Sequence, residues 1–147
     1  MNRKLHTVYK IVRTEGGAFW SMSFGRSDVC LVQYVPGQWV QAPELMRRLG
    51  YDLCVFRDLT DVCSFIARIC WRPPSDWQLW RCHARGVHEP RVVYLRVDCV
   101  THYVQSALDG CPPDIDTIAY GNWPPGTLFA RAVRLIDPVP WDHELLR

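Results

Sequence analysis

The stretch LHTVYKIVRTEGGAFWSMSF, residues 5–24, decides the fold because it predicts two antiparallel strands joined by a tight turn. Val8, Lys10 and Val12 fall on one face of the first strand, and the residues between them fall on the other. The pair Gly16-Gly17 then accepts the positive φ angles that a two-residue hairpin turn requires. We therefore expect the chain to open with a β-hairpin.

Turn signals farther along the chain predict more short strands and thus a meander. Gly25-Arg26-Ser27-Asp28 and Pro36-Gly37 each separate apolar segments. Pro138, Pro140 and Trp141 are expected to end regular structure. The further predicted strands are residues 29–34, 39–40, 53–56, 77–84, 92–97 and 127–136.

One helix is predicted over Asp58 to Ile69, where apolar residues recur at intervals of three and four. Either Asp58 or Thr60 is suited to cap its first amides. A single helical turn is also expected over Pro43 to Leu49, before Gly50. The resulting fold class is α+β, with a mostly antiparallel curved sheet packed on one main helix.

Composition excludes several classes of protein. The chain has 147 residues, 48% of them hydrophobic, which suits one domain spanning residues 1–147 with a real core. Apolar runs stay below the ~18 residues that a membrane helix needs, and no secretory leader follows Met1, so we expect a cytoplasmic protein. The net charge of +2 gives no electrostatic case for nucleic acid.

The seven cysteines have two interpretations. An odd count argues against a disulfide framework, and most of them have apolar neighbours, which favours small core residues in a reducing compartment. The alternative is a zinc site, but the paired Cys-x-x-Cys spacings typical of zinc sites are missing. We therefore expect neither a metal nor another cofactor. The residues that would serve as zinc ligands are Cys82, His88, Cys99, His102 and Cys111.

Several sequence blocks resemble a small protein family of phages, large DNA viruses and bacteria that has no established activity. The blocks are YKIVR (9–13), GQW (37–39), LCVFRDL (53–59), WRCHARG (80–86) and GTL (126–128). The resemblance implies a compact accessory domain of a viral or mobile genome, which would act in the host cytoplasm. It carries over no functional residue, and the enrichment in Cys, Trp and Arg departs from the family.

Known catalytic motifs are missing from the sequence, including the P-loop, GxSxG and HExxH patterns. An ADP-ribosyltransferase-like enzyme acting on NAD is the alternative, with Arg13 and Ser21-Met22-Ser23 in the roles of its strand residues. Such an enzyme also needs an acidic residue late in the sheet. The glutamates, none of which lies on a convincing late strand, are Glu15, Glu44, Glu89 and Glu144.

Binding is the function that the pattern favours. Fifteen of the seventeen basic residues are arginines, several of which fall on predicted strands close to aromatic residues. Arginine recognises phosphate and carboxylate with two parallel hydrogen bonds, and aromatic rings stack on planar ligands. We expect an accessory factor for an anionic, ring-bearing, nucleotide-like ligand or for a host protein, with self-association also open. The predicted ligand-binding residues are Arg13, Arg81, His83, Arg85, Tyr120, Asn122, Trp123 and Arg131, and Arg134 lies on the last predicted strand.

Overall fold

The computed structural model describes residues 4–21, 31–48, 50–69, 73–90, 109–110, 123 and 126–141. Within these ranges the chain forms eight strands and two helices. In chain order they are β1 (His6–Glu15), β2 (Ala18–Ser21), β3 (Gln33–Tyr34), β4 (Trp39–Val40), α1 (Glu44–Arg48), β5 (Leu53–Phe56), α2 (Leu59–Ile69), β6 (Trp77–Arg85), β7 (Thr127–Ala130) and β8 (Ala132–Val139).

The predicted opening hairpin is confirmed. β1 and β2 pair in antiparallel register from Val12 with Ser21 to Glu15 with Ala18. The two residues between them, Gly16-Gly17, have φ angles of 61° and 78°, as a tight hairpin turn demands. β1 is therefore held on one edge by β2, and on its other edge it pairs with β6 along most of its length.

Every strand pairing is antiparallel, so the mostly antiparallel sheet is confirmed. The strand order is β3-β2-β1-β6-β8-β4, and β5 joins β1 to β7. Only Arg131 separates β7 from β8 along the chain. The ladders therefore form a closed circuit, from β1 through β5, β7, Arg131, β8 and β6 back to β1.

The core is divided between two clusters, which qualifies the expectation of a sheet packed on one main helix. In the larger cluster, strand residues such as Val12, Cys82 and Val133 pack together with Met46 of α1. Helix α2 contributes to the smaller cluster, whose members are Ile11, Phe56, Val62, Phe65, Ile66 and Leu79. The sheet thus buries much of its apolar surface against itself rather than under α2.

The N-terminal cap of α2 defines where this helix begins. Asp58 Oδ1 accepts a hydrogen bond of 2.9 Å from the backbone N–H of Asp61, so Asp58 and not Thr60 is the capping residue. The helix begins at Leu59, one residue after the predicted start, and ends at Ile69 as predicted.

Two expectations about the last strand are wrong. Arg131 interrupts it, which gives β7 and β8 instead of one strand over 127–136. Pro138 does not end it, since β8 runs to Val139 and Pro138 pairs with Trp80. Proline fits near the end of a strand, where the ladder does not require its missing N–H. The predicted strand over 92–97 lies outside the described residues.

Candidate ligand-binding site

A row of side chains crosses four strands on one face of the sheet. Trp39 of β4 is directly opposite Arg134 of β8, which is opposite His83 of β6, which is opposite Thr7 of β1. Residues directly opposite each other project to the same face. The neighbours of His83 in sequence point the other way into the larger core, so the alternation of β6 brings this row to the surface.

The Trp39 ring holds two arginines. The Arg85 guanidinium carbon lies 4.1 Å from the ring centroid, and that of Arg134 lies 4.8 Å from it. Both distances are within the range of cation–π attraction. Since both lie within 5 Å of one centroid, the two positive charges are less than about 10 Å apart. The half-buried Trp39 therefore concentrates positive charge at one place on the sheet.

His83 completes the cluster and has a defined tautomer. Arg134 Nη2 lies 3.2 Å from His83 Nδ1. Because a guanidinium has no acceptor, Arg134 donates this bond and Nδ1 receives it. The ring proton of the neutral histidine then resides on Nε2, which is a donor. The cluster of Trp39, His83, Arg85 and Arg134 therefore presents hydrogen-bond donors to solvent.

Within the part of the chain that the structure describes, no carboxylate balances the charges of the two arginines. Among the described residues, no acidic side chain forms an ion pair with Arg85 or Arg134, although Arg81 on the same face pairs with Asp137. Arg134 Nε is buried and has no hydrogen-bond partner among the described residues. A buried donor without an acceptor is unfavourable, and an anion could satisfy it only if the Arg134 side chain shifted to admit one.

Arg131 lies next to this cluster along the backbone. Its N–H donates to the Arg85 carbonyl at 3.0 Å. Its aliphatic stem covers Gly86, where an added β-carbon would be 2.8 Å from Arg131 Cγ, and Gly86 also has a φ of +63°. Glycine is therefore needed at 86 for the exposed Arg131 to lie beside β6.

Other predicted site residues lie elsewhere. Arg13 is opposite Trp77, eight residues from Arg85 along β6, which is roughly 25 Å at the rise of a strand, and it pairs with Glu15. Trp123 packs against the larger core, with its ring 4.9 Å from that of Phe129. Tyr120 and Asn122 lie outside the described residues.

The structure thus brings together His83 and Arg85, with Arg131 beside them, and adds two residues that were not among the predicted ligand-binding residues. Arg134 was assigned to a strand, and its alternation with Val133 and Leu135 is a signal for surface exposure. Trp39 has no local signal of this kind, because its contacts depend on the pairing of β4 with β8, which are far apart in sequence.

The residues considered for zinc include two that are described, and both have other contacts. Cys82 is fully buried, and burial raises its thiol pKa to about 12. The two nitrogens of His88 lie 2.7 Å from an Asp52 carboxylate oxygen and 2.9 Å from the Glu89 carbonyl oxygen. In the described part of the chain, no group of three or more His, Cys, Asp or Glu is arranged to hold a metal. Cys99, His102 and Cys111 lie outside it.

Ser21, one of the residues named for NAD chemistry, forms a hydrogen bond within the fold. It is buried, and its Oγ accepts a hydrogen bond of 3.1 Å from the backbone N–H of Val32. Met22 and Ser23 lie outside the described residues.

Comparison with known proteins gives no relative: no family model, curated protein or solved structure matches the chain. In the described ranges, no helix has the length and apolarity to cross a membrane.

Proposed function

We propose that this chain is a binding protein, an accessory factor of the viral and phage type that its sequence blocks resemble, acting in the cytoplasm on an anionic, ring-bearing, nucleotide-like ligand. The cluster of Trp39, His83, Arg85 and Arg134 is its binding site. One observation carries the proposal: two guanidinium groups share one tryptophan ring, and no carboxylate among the described residues neutralises them.

An anion is the natural partner for this arrangement. Two like charges less than about 10 Å apart repel each other, and the repulsion is stronger where the surroundings are half-buried. A phosphate group that contacts both guanidiniums would replace that repulsion by two attractions. Each guanidinium can form two parallel N–H bonds to phosphate oxygens.

The ring of the ligand is accommodated by the exposed arginine. The Arg85 guanidinium carbon lies over the Trp39 ring, and Arg85 is exposed to solvent. Planar rings such as nucleobases stack on guanidinium planes as they do on aromatic side chains. A base stacked on the outer side of Arg85 would extend the stack that Trp39 begins.

The test is isothermal titration calorimetry with adenosine, ribose 5-phosphate, AMP, ATP and NAD. We expect a nucleotide to bind more tightly than either adenosine or ribose 5-phosphate, because each of these lacks the phosphate or the base. Arg85→Gln should weaken binding at least about tenfold, since it removes a charge-assisted contact. Arg134→Lys should weaken it as well, because lysine retains the charge but lacks the planar fork.

The matched control is Arg68→Gln on α2, which removes the same charge from an exposed side chain remote from this cluster in the fold. It should leave the affinity unchanged. Equal losses in Arg85→Gln and Arg68→Gln would reduce the effect to net charge and contradict the proposed site. Cleavage of NAD during the titration would instead favour the enzyme alternative.

A further inference from the structure

We infer that the group bound at this cluster is the dianion of a phosphate monoester, and that His83 is its third donor. The inference rests on the proposed function and specifies the ligand of that site more closely: a nucleoside monophosphate, whose phosphate is terminal, rather than a cyclic nucleotide or another diester.

The first argument is the direction of the hydrogen bonds. Arg85 and Arg134 donate only, and the bond from Arg134 to His83 Nδ1 leaves the Nε2–H of His83 as a donor too. A dianionic phosphate monoester has three terminal oxygens that accept and no group that donates. A diester has only two such oxygens, so three donors from three side chains would have to share two acceptor atoms.

The second argument is the balance of charge. Arg85 and Arg134 carry two permanent positive charges, and no carboxylate among the described residues offsets them. A phosphate monoester has a second pKa of about 6 and is mainly a dianion at pH 7.5. It neutralises both guanidiniums, whereas a diester or a carboxylate has a single negative charge and neutralises one.

The third argument is the orphaned donor. Arg134 Nε is buried and bonds to nothing in the described residues, while Nη2 of the same group is used by His83. Because this Nε is buried, an oxygen can reach it only after the Arg134 side chain shifts, and a group with several acceptors can keep its other contacts during such a shift. The three terminal oxygens of a monoester can serve Arg85, Arg134 and His83 together.

The experiment compares AMP with its methyl ester, which retains the base and ribose but carries one negative charge. At pH 7.5 we expect AMP to bind at least about tenfold more tightly, because one charge and one acceptor are lost in the ester. Equal affinities would overturn the inference and leave the proposed function standing. If neither compound binds, both are overturned.

Two substitutions test the role of His83 separately. His83→Asn places an amide near the Nδ1 position, where its oxygen can still accept from Arg134, but it has no atom at the Nε2 position. His83→Gln places an amide nitrogen near Nε2. We expect Asn to weaken AMP binding about tenfold and Gln to retain it within about threefold.

The methyl ester distinguishes this donor role from a structural one. If His83 only supported Arg134, His83→Asn would leave the preference for AMP over the ester unchanged, and that result would overturn its assignment as a donor. A reduced preference in His83→Asn, restored in His83→Gln, is the expected outcome. Thermal unfolding of each variant shows that the fold is retained.

Discussion

Gly126 lies directly against the carboxylate of Asp61. A β-carbon added to Gly126 would be 1.9 Å from Asp61 Cγ, and its φ is +79°. The Gly126 carbonyl also accepts a bond of 3.1 Å from the N–H of Arg57. This contact joins the residue before β7 to the first turn of α2. Desolvation is the main cause that raises the pKa of the Asp61 carboxyl.

Gly126→Ala should therefore be costly. The positive φ disfavours alanine by about 1–2 kcal/mol, and the clash with Asp61 adds about 1–3 kcal/mol. Gly37→Ala is the matched control, because Gly37 has a similar φ of +82° and nothing within 4 Å of an added β-carbon. Urea unfolding measures both free energies. In the double variant Asp61→Ala/Gly126→Ala, the loss of unfolding free energy beyond that caused by Gly37→Ala should disappear. If this additional loss persists, the contact between Gly126 and Asp61 is contradicted.

Asp58→Ala should lower the free energy of unfolding by about 1 kcal/mol. The substitution removes the acceptor for the Asp61 N–H at the start of α2. Thr60→Ala, two residues later on the exposed side of the same turn, should change stability by less than about 0.5 kcal/mol. Comparable losses in the two variants by chemical denaturation would mean that Asp58 is not the cap.

Lys10→Met should change how stability depends on pH. Lys10 is buried, its Nζ donates to the Cys54 carbonyl at 2.7 Å, and burial lowers its pKa, an effect that the nearby Cys54 and Cys82 thiols partly offset. The folded state therefore releases the proton of Lys10 at a lower pH than the unfolded state. The cost of burying the charge is complete below the folded pKa and disappears as the pH approaches the unfolded value of 10.5.

The stability of Lys10→Met relative to the original protein should accordingly decrease as the pH rises. Within the window between the two pKa values, the change is about 1.4 kcal/mol for each pH unit. Urea unfolding at intervals between pH 7 and pH 10.5 measures it. A difference that stays constant over this range would show that Lys10 is not desolvated in the folded state.

Cys82 should resist alkylation in the folded protein. Its side chain is fully buried, and a pKa raised from 9.0 to about 12 leaves about a thousandfold less thiolate at pH 8. Iodoacetamide labelling followed by peptide mass spectrometry gives the rate at this residue. The same reaction in urea is the control, and similar rates in the two conditions would exclude the buried position.

Local patterns were sufficient for the elements that depend on near neighbours. The glycine pair between β1 and β2, the apolar residues 53–56 and the spacing of Val62, Phe65 and Ile66 are such signals, and the structure confirms each. The break at Arg131 was not predictable in this way, because alternation of residue types continues across it. What splits β7 from β8 is their pairing with different strands, β5 and β6.

The candidate site likewise has features that local patterns predict and features that depend on long-range pairing. Alternation on β6 predicts that Arg81 and His83 share a face, and the structure agrees. The pattern cannot show that Arg81 on that face pairs with Asp137 while the Arg85 guanidinium lies over the Trp39 ring. These partners come from β8 and β4, and the folded register of those strands with β6 decides which arginine pairs with a described carboxylate and which does not.

The one-residue connection at Arg131 has a mechanical consequence. Because β7 is bonded to β5 and β8 to β6, the strand that carries Arg134 cannot slide without pulling on the far side of the same circuit. The backbone that carries Arg134 is thus stiff, and ligand binding would require only side chains to adjust. The rate of association would then be limited by desolvation of the arginines rather than by rearrangement of the backbone. Binding should cost little conformational entropy of the backbone.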